Sequence, residues 1–390
     1  MNRAVPVRGF EPAEFEARLL RAQRVMTECG LTALLLTTEP EVRYYSGFLT
    51  RFWLSPTRPW FLLVPVEGKP IAVIPEIGAP VMARTWLDDI RTWPSPRPRD
   101  EGVSLLADTL RGIGAAGKRV GVAMGPETHL RMPLNDYAQL RSASPDTEFV
   151  DAGQELSRLR MIKSEAEVSK IAHICRIASD AFEAVPALAA AGKPLSQVFR
   201  DFKIELLKRG ADDVPYLVGG AAQGGYDNVI SPPDERPLRD GDLLMMDTGA
   251  LWDGYFCDFD RNFAVGRAAD DTRRAYGTLH RATDAGLAAA VPGATCSDVF
   301  RAMRSVITAD GYECGNVGRL GHGLGMQLTE WPSHTSDDRT PLEPGMVVTL
   351  EPGLRIAPGR SMVHEENVVI REDGARYLSR RAPSELPELF

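Results

Sequence analysis

One stretch of the chain limits the fold more than any other, namely 243–263, which reads LLMMDTGALWDGYFCDFDRNF. An apolar run ends on Asp247, the chain turns through Gly249 and Gly254, and a second apolar, aromatic run carries Asp258. This pattern predicts a β-hairpin or short meander with the two aspartates on neighbouring strands. Two carboxylates that face each other in a dry site repel unless a proton or a cation lies between them. If both side chains point inward, the stretch predicts a cation site.

The same stretch also fits a simpler interpretation, a solvent-facing hairpin with ordinary surface aspartates. Strand alternation places Asp260 on the same face as Asp258 and turns Cys257 to the other face, where we expect a buried thiol. The choice between the two interpretations depends on acids and histidines elsewhere in the chain.

Composition and charge exclude several classes of function. Apolar residues make up 44% and charged residues 25% of the 390 residues, as in a globular protein of two or three domains. The net charge of −8 leaves no excess of Lys and Arg for phosphates, so we expect no nucleic-acid partner. The five cysteines contain no CxxC motif, which argues against a disulfide framework or a cysteine zinc site. Because neither a membrane span nor a signal peptide is evident, we expect a cytoplasmic protein without membrane contact.

Helical and strand patterns alternate in the first part of the chain, which predicts a compact α/β domain. A capping box formed by Ser164 and Glu167 then begins a long amphipathic helix. We therefore predict an N-terminal domain at 1–153 and a C-terminal domain at 154–390. The predicted elements are helices at 12–30, 101–115, 195–209, 269–290 and 296–310 and strands at 31–37, 60–65, 71–75 and 119–123.

Three segments of the C-terminal third add candidate ligands. His322 lies between glycines in RLGHGLG, where the backbone is free to pass close to a site. Glu351 ends the apolar strand of GMVVTLEPGL, and Glu365 opens another one in MVHEENVVI. A carboxylate at the end of a buried strand needs a partner.

Together with the hairpin, these segments supply two Asp, one His and two Glu. Oxygen-rich ligation with one imidazole suits Mn²⁺, Co²⁺, Fe²⁺ or Zn²⁺. Four carboxylates also balance the charge of two divalent cations better than that of one. We expect two divalent metal ions per chain.

These residues, in the contexts MDTG, YFCDFDR, GHGLG, LEPG and HEENVVI, resemble the pita-bread metallopeptidases. That group includes methionine aminopeptidase, aminopeptidase P and prolidase, with non-peptidase relatives such as creatinase and ectoine hydrolase. The resemblance covers the C-terminal half closely, and the N-terminal half with its YYSGF stretch is similar to the creatinase/prolidase N-terminal domain. It implies a small creatinase-like α/β domain followed by a pita-bread domain, an α/β (α+β) fold.

The resemblance also implies roles for the ligands. Asp247 would chelate one metal, Asp258 and Glu365 would bridge both, and His322 and Glu351 would bind the other. A metal-bound hydroxide would be the nucleophile, with Glu351 as general base and then general acid and His322 as a further catalytic residue. The expected reaction is hydrolysis of an amide or peptide bond in a small molecule or short peptide, close to that of Xaa-Pro peptidases. Relatives in this group dimerise, so a homodimer is expected.

The chain departs from the peptidase pattern at three positions. The peptidases carry two more histidines that hold the scissile amide, and the matching places here hold Ile230 and Thr329. Asp260 stands where the peptidases have a threonine in a DxTR pattern. A threonine hydroxyl is a weaker donor than an imidazole, and isoleucine is not a donor at all. An extra acid at position 260 could be a further metal ligand, a partner of Arg261 or a site for a cationic substrate group, and an Asp260–Arg261 or Asp260–backbone pair is an equally good interpretation. Thr329, Asp260 and the nearby His364 are candidate substrate-binding residues.

The aromatic and basic loop of the N-terminal half is a further candidate for substrate contact. The resemblance implies that the partner's N-terminal domain reaches toward the site. Arg51 and Trp53, in the loop Arg51–Trp60, are the candidates for this wall over an organic substrate, with packing between domains as an equally good interpretation. Two rival functions stay open. One is a lyase or a ring-opening or amidine hydrolase acting on a small zwitterion such as dimethylsulfoniopropionate or ectoine. The other is a binding module without catalysis.

Overall fold

A computed structural model of the chain describes residues 4–314 and 318–390 and shows the mixed α/β architecture expected from the sequence. The contacts divide the chain into two compact units, Val7–Arg160 and one whose main part is Met161–Phe390. Within the described residues, no helix combines the length and the apolar character that crossing a membrane would require.

The N-terminal unit is built on one six-stranded sheet with the strand order β4-β3-β2-β1-β5-β6. Pairings are antiparallel on both sides of β2 and parallel elsewhere. The predicted helix at 12–30 and the predicted strands are confirmed, each within two residues at its ends. The elements are α1 (Pro12–Cys29), β1 (Ala33–Leu36), α2 (Glu39–Ser46), β2 (Phe61–Pro65), β3 (Ile71–Pro75), α3 (Ala79–Met82), β4 (Asp89–Trp93), α4 (Val103–Gly112), β5 (Arg119–Val122), α5 (Leu134–Ala143), β6 (Glu148–Asp151) and α6 (Gly153–Met161).

The C-terminal unit begins with a helix whose cap was predicted, since Ser164 Oγ accepts a hydrogen bond from Glu167 N at 3.3 Å. Its elements are α7 (Glu165–Phe182), α8 (Val185–Leu188), α9 (Leu195–Lys208), β7 (Asp213–Gln223), β8 (Asp242–Trp252), β9 (Tyr255–Phe256), β10 (Phe259–Val265), α10 (Asp270–Ala289), α11 (Cys296–Ala309), β11 (Glu313–Cys314), β12 (His322–Gly323), β13 (Glu330–Ser333), β14 (Val347–Leu350), β15 (Gly353–Ala357), β16 (Arg360–Val363), β17 (Glu366–Arg371), β18 (Gly374–Tyr377) and β19 (Glu388–Leu389).

Three sheets form the body of the C-terminal unit. Their strand orders are β19-β10-β8-β7, β13-β12-β14-β17-β18 and β11-β15-β16. The apolar run 243–246 of β8 is wholly buried. Helix α7 packs beside β8, and helix α9 packs beside the neighbouring strand β7. Alternate residues of the run share a core with residues of α10 and α11. A strand covered on both faces has no solvent side, which explains why the run is apolar throughout.

The hairpin predicted from 243–263 is present, with two differences. Strand β8 does not end on Asp247 but continues to Trp252, and β10 begins after Asp258 rather than carrying it. Gly249 lies within the strand and not in the turn. A Cβ at that position would lie 2.2 Å from Leu328 Cδ1, so close packing of the 328 segment on β8 requires the glycine.

Asn367 joins this hairpin to strand β17. Its Oδ1 accepts a hydrogen bond from Asp258 N at 2.9 Å, and its Nδ2 donates to the Asp258 carbonyl oxygen. Oδ1 also accepts from Cys175 Sγ at 3.2 Å, and the side chain is fully buried. One amide therefore fixes the backbone of the residue that precedes β10.

We expect Asn367→Ala to lower the free energy of unfolding by about 3 kcal/mol, because it leaves a buried N–H and a buried C=O without partners. Urea denaturation measures this change. Asn228→Ala is the matched control, since the Asn228 side chain also makes two hydrogen bonds to the backbone, both accepted from N–H groups, but is exposed. A loss for Asn367→Ala no larger than that of the control contradicts the role assigned to the amide.

Candidate metal centre

The hairpin places two aspartates opposite each other. Asp247 on β8 is the register partner of Asp260 on β10, and Asp258 precedes β10 on the same side. Asp258 and Asp260 are 4% and 1% exposed, whereas Asp247 is half-buried. The interpretation of the hairpin as a solvent-facing surface is therefore wrong, because its acids lie inside the unit.

Glu351 and Glu365 approach the aspartates from the sheet that contains β14 and β17. Strands β14 and β17 are antiparallel with Leu350 opposite Glu366, so Glu351 and Glu365 adjoin each other at the ends of neighbouring strands. Glu365 is 3% exposed and Glu351 is half-buried. The amide of Asn367, two residues after Glu365, brings β17 against Asp258.

His322 lies on β12 with a defined tautomer. Its Nδ1 is 2.8 Å from the Gly323 carbonyl oxygen, and since a carbonyl only accepts, Nδ1 carries the proton. Nε2 then presents its lone pair 3.5 Å from Asp258 Oδ2 and 3.8 Å from Glu365 Oε1. Burial, and next the charge of Arg319, lower the pKa of His322 to about 3, so the imidazole is neutral. This is the form in which histidine binds a metal.

Asp258, His322 and Glu365 are close enough to share one ion, with one ligand atom of each within 4.8 Å of the others. The structure therefore brings together the hairpin, the glycine-flanked histidine and the HEEN segment. The pairing of β8 with β10 and of β14 with β17 adds Asp247 and Glu351 at the edge of this group.

The carboxylates repel one another strongly. Burial first, and then neighbouring carboxylates, raise the pKa values of Asp247, Asp258 and Glu365 well above their ordinary range. Burial raises the pKa of Glu351 to about 7. Arg319 acts in the opposite direction on Asp258 and Glu351, so a guanidinium lies near these acids.

These residues fit a divalent cation. Among the described residues, four buried carboxylate oxygens have no hydrogen-bond partner: Asp247 Oδ1, Asp258 Oδ1, Asp260 Oδ2 and Glu365 Oε1. Buried carboxylates without partners are costly, and a cation between them removes the cost. Oxygen donors with one neutral imidazole suit the metals expected from the sequence.

The candidate substrate residues of the C-terminal unit lie in different surroundings. Thr329 is half-buried, and its Oγ1 accepts a hydrogen bond from Arg319 Nη2 at 3.3 Å. Ile230 is 75% exposed on a loop. His364 is 1% exposed, with Nδ1 at 3.5 Å from Asp260 Oδ1 and Nε2 at 2.7 Å from Arg381 Nη1. Both nitrogens of His364 thus face protein groups, and a direct contact with substrate stays a prediction.

Arg51 and Trp53 belong to the N-terminal unit, in a short 3₁₀-helix, Arg51–Leu54. The Trp53 ring lies 6.0 Å from the Trp60 ring. The Arg131 guanidinium lies over the Trp53 ring, 5.2 Å from its centre. The role of the two residues as a wall over a substrate also stays a prediction.

Three residues near the centre were not identified from the sequence. Asn367 and Arg319 stood within the HEENVVI and RLGHGLG segments, but their side-chain directions depend on which strands pair. Tyr216 on β7, which is itself half-buried, donates a hydrogen bond to Asp247, and no sequence pattern marked this tyrosine.

Comparison with known proteins identifies the family. Residues 169–372, just over half of the chain, match Metallopeptidase family M24, and residues 18–162 match the Creatinase/Prolidase N-terminal domain. The chain belongs to metallopeptidase family M24. The predicted family, the pita-bread fold with a creatinase-like N-terminal domain, and the hydrolase class are confirmed. The exact domain limits 1–153 and 154–390 stay a prediction.

Relatives include uncharacterized peptidase YqhT of Bacillus subtilis, 27% identical over 95% of this chain and 99% of that protein. Xaa-Pro dipeptidase of Pyrococcus furiosus is 30% identical over 60% of this chain and 67% of its own length. Among solved structures, dipeptidase PepE of Mycobacterium ulcerans superposes with a TM-score of 0.85 at 28% identity, covering 98% of this chain and 99% of that one.

Burial and repulsion among the carboxylates of the centre predict that the stability of the metal-free chain depends on pH. Because the folded pKa of Glu351 is about 7 against an ordinary 4.5, the folded state binds more protons than the unfolded state between these values. Stability should therefore be highest at low pH within this window and fall as the pH rises through it. Urea midpoints of the metal-free chain at about pH 5 and about pH 8 measure the effect.

Two comparisons test this assignment. Glu351→Gln should show a smaller fall with pH, and Mn²⁺ should remove most of the fall in the unchanged chain. A metal-free chain that is equally stable at both pH values contradicts the proposed crowding of charge.

Proposed function

We propose that the chain is a metal-dependent dipeptidase that hydrolyses the amide bond of short peptides, with Xaa-Pro dipeptides as the first substrates to test. The observation that carries the proposal is the group of buried carboxylate oxygens without partners beside a neutral imidazole. The printed names of the relatives, dipeptidase and Xaa-Pro dipeptidase, support the same reaction.

Five residues would hold two divalent ions: Asp247, Asp258, His322, Glu351 and Glu365. When bound, such ions polarise a carbonyl group and lower the pKa of water. The preferred ions are Mn²⁺, Co²⁺, Zn²⁺ or Fe²⁺, because the donors are mostly oxygen with one nitrogen.

The five candidate ligands differ in exposure. Asp258, His322 and Glu365 are buried, whereas Asp247 and Glu351 are half-buried. We propose that a substrate approaches from the side of these two residues and that Glu351 is the general base. Its carboxylate oxygen would take a proton from the attacking water and return it to the leaving amine.

Arg319 supplies a positive charge where the peptidases have imidazole donors. Its guanidinium donates to Thr329, which holds the place of one missing histidine, and it lies near Asp258 and Glu351. A guanidinium is a strong donor to carboxylate oxygens. We propose that Arg319 binds the terminal carboxylate of a dipeptide and so contributes to the preference for short substrates.

The first experiment measures metal content and turnover together. We expect about two ions per chain after Mn²⁺ reconstitution and hydrolysis of Xaa-Pro dipeptides. Asp258→Asn should lose the metal and the activity together, since it removes a carboxylate that would hold the metal. Metal uptake without dipeptide turnover would shift the function to a non-peptide substrate, and full activity of Asp258→Asn would disprove the assignment of the site.

The role of Arg319 is tested with substrate pairs. Arg319→Gln should lower kcat/KM for a dipeptide at least about tenfold, as expected for a lost charge-assisted hydrogen bond. The same variant should change the kcat/KM of the dipeptide amide little, because the amide lacks the terminal charge. Arg319→Lys is the conservative control and should retain part of the preference. Equal losses for both substrates speak against a carboxylate contact.

The homodimer, the cytoplasmic location and the choice of manganese stay predictions. They rest on the resemblance and on composition, and gel filtration with light scattering tests the dimer.

A further inference from the structure

Asp260 is an additional acid inside the centre, outside the five residues that the resemblance implies. It is 1% exposed and lies directly opposite Asp247 across the β8–β10 pair. On a strand, directly opposed residues have Cβ atoms about 5 Å apart on the same face. The Asp260 side chain therefore shares its face with the first metal aspartate.

The carboxylate is fixed through one oxygen. Oδ1 accepts a hydrogen bond from Glu365 N at 3.0 Å and lies 3.5 Å from His364 Nδ1. Oδ2 is buried and has no hydrogen-bond partner among the described residues. One oxygen is thus held by the strand that carries Glu365, and the other remains available as a ligand.

The neighbouring arginine makes no hydrogen bond to the Asp260 carboxylate. Arg261 Nη1 donates to the carbonyl oxygens of Asp260 and Glu365, while Nη2 donates to Glu366 Oε2 at 2.9 Å. The guanidinium is therefore engaged by main-chain oxygens and by another carboxylate. The simple interpretation of the Asp-Arg sequence as a side-chain ion pair does not apply.

A chain of contacts supports Asp260 from behind. Arg381 Nη1 lies 2.7 Å from His364 Nε2, so this nitrogen accepts, while Nδ1 faces Asp260 Oδ1 at 3.5 Å as a contact rather than a hydrogen bond. Arg381 also lies 3.4 Å from Glu366 Oε1. Ligating carboxylates are commonly oriented by such outer hydrogen bonds. A cationic substrate group is a poorer partner for Asp260, because it would have to pass the half-buried side of the centre to reach a residue that is 1% exposed.

We propose that Asp260 is a sixth protein ligand of the metal centre, which binds through Oδ2 the ion that Asp247 chelates, with His364 and Arg381 as its positioning residues. This inference rests on the metal site of the proposed function. The centre would then carry five carboxylates and one neutral imidazole, a more negative set than the four carboxylates implied by the resemblance. More anionic oxygen ligands hold a hard divalent cation more tightly.

The test compares Mn²⁺ affinity and stability in three chains: unchanged, Asp260→Asn and Asp260→Thr. Asparagine keeps an oxygen for Glu365 N–H, and threonine gives the DxTR pattern of the peptidases. We expect both variants to bind Mn²⁺ at least about tenfold more weakly in equilibrium dialysis, consistent with loss of one anionic ligand. In the metal-free state, Asp260→Asn should melt at the same or a higher temperature, because one buried charge is gone, and Mn²⁺ should raise its melting temperature less.

Asp253→Asn is the matched control. Asp253 is a buried aspartate of the same hairpin, but it pairs with Lys170. This variant should lower the metal-free melting temperature and leave the Mn²⁺ affinity unchanged.

Two results would overturn the inference while leaving the proposed function intact. One is Mn²⁺ affinity of Asp260→Asn and Asp260→Thr equal to that of the unchanged chain. The other is a metal-free melting temperature of Asp260→Asn that falls as it does for Asp253→Asn, which would make Asp260 a structural residue. If the unchanged chain binds no metal at all, the proposed function itself fails and this inference fails with it.

Discussion

The repulsion between carboxylates held inside the C-terminal unit is the constraint on which the centre depends. Asp247, Asp258 and Glu365 approach one another in a region from which water is largely excluded, and burial with mutual repulsion disfavours their charged forms. Folding keeps them together because their backbones belong to paired strands and, for Asp258, to the amide of Asn367. Burial of the surrounding apolar core offsets the unfavourable free energy of this arrangement, and a bound cation would reduce the repulsion itself.

His322 and Arg319 make different contributions to the centre. His322 is neutral and fixed in one tautomer by the Gly323 carbonyl, so its free nitrogen points at the acids without adding charge. Arg319, which is itself half-buried, adds a positive charge and donates a hydrogen bond to Thr329. A neutral imidazole and a positively charged guanidinium agree with the proposed roles, a metal ion beside His322 and an anionic group of a substrate beside Arg319.

The three positions that depart from the peptidase pattern, Ile230, Thr329 and Asp260, differ in their relation to the centre. Ile230 is exposed and has no role in the described centre, whereas Thr329 stands beside a guanidinium. Asp260 replaces a neutral residue of the peptidase pattern with a charged one that is supported by His364. The chain thus differs from the peptidase pattern at the donors expected around the metal, while it keeps the five residues predicted as ligands. Substrate preference is the property that such changes are expected to alter, because the donors around a metal orient the substrate.

The sequence alone predicted the main elements and the five candidate ligands, because both follow from local patterns. Periodicity gave the helix Pro12–Cys29, the Ser164 cap predicted the start of α7, and acids at the ends of apolar strands marked Glu351 and Glu365. Tertiary structure alone decided that β8 continues past Asp247, because Gly249 is needed for packing against Leu328 and not for a turn. It also decided the partners of Asn367, Arg319 and Asp260, since side-chain contacts between strands distant in sequence depend on register and sheet order, which no local pattern encodes.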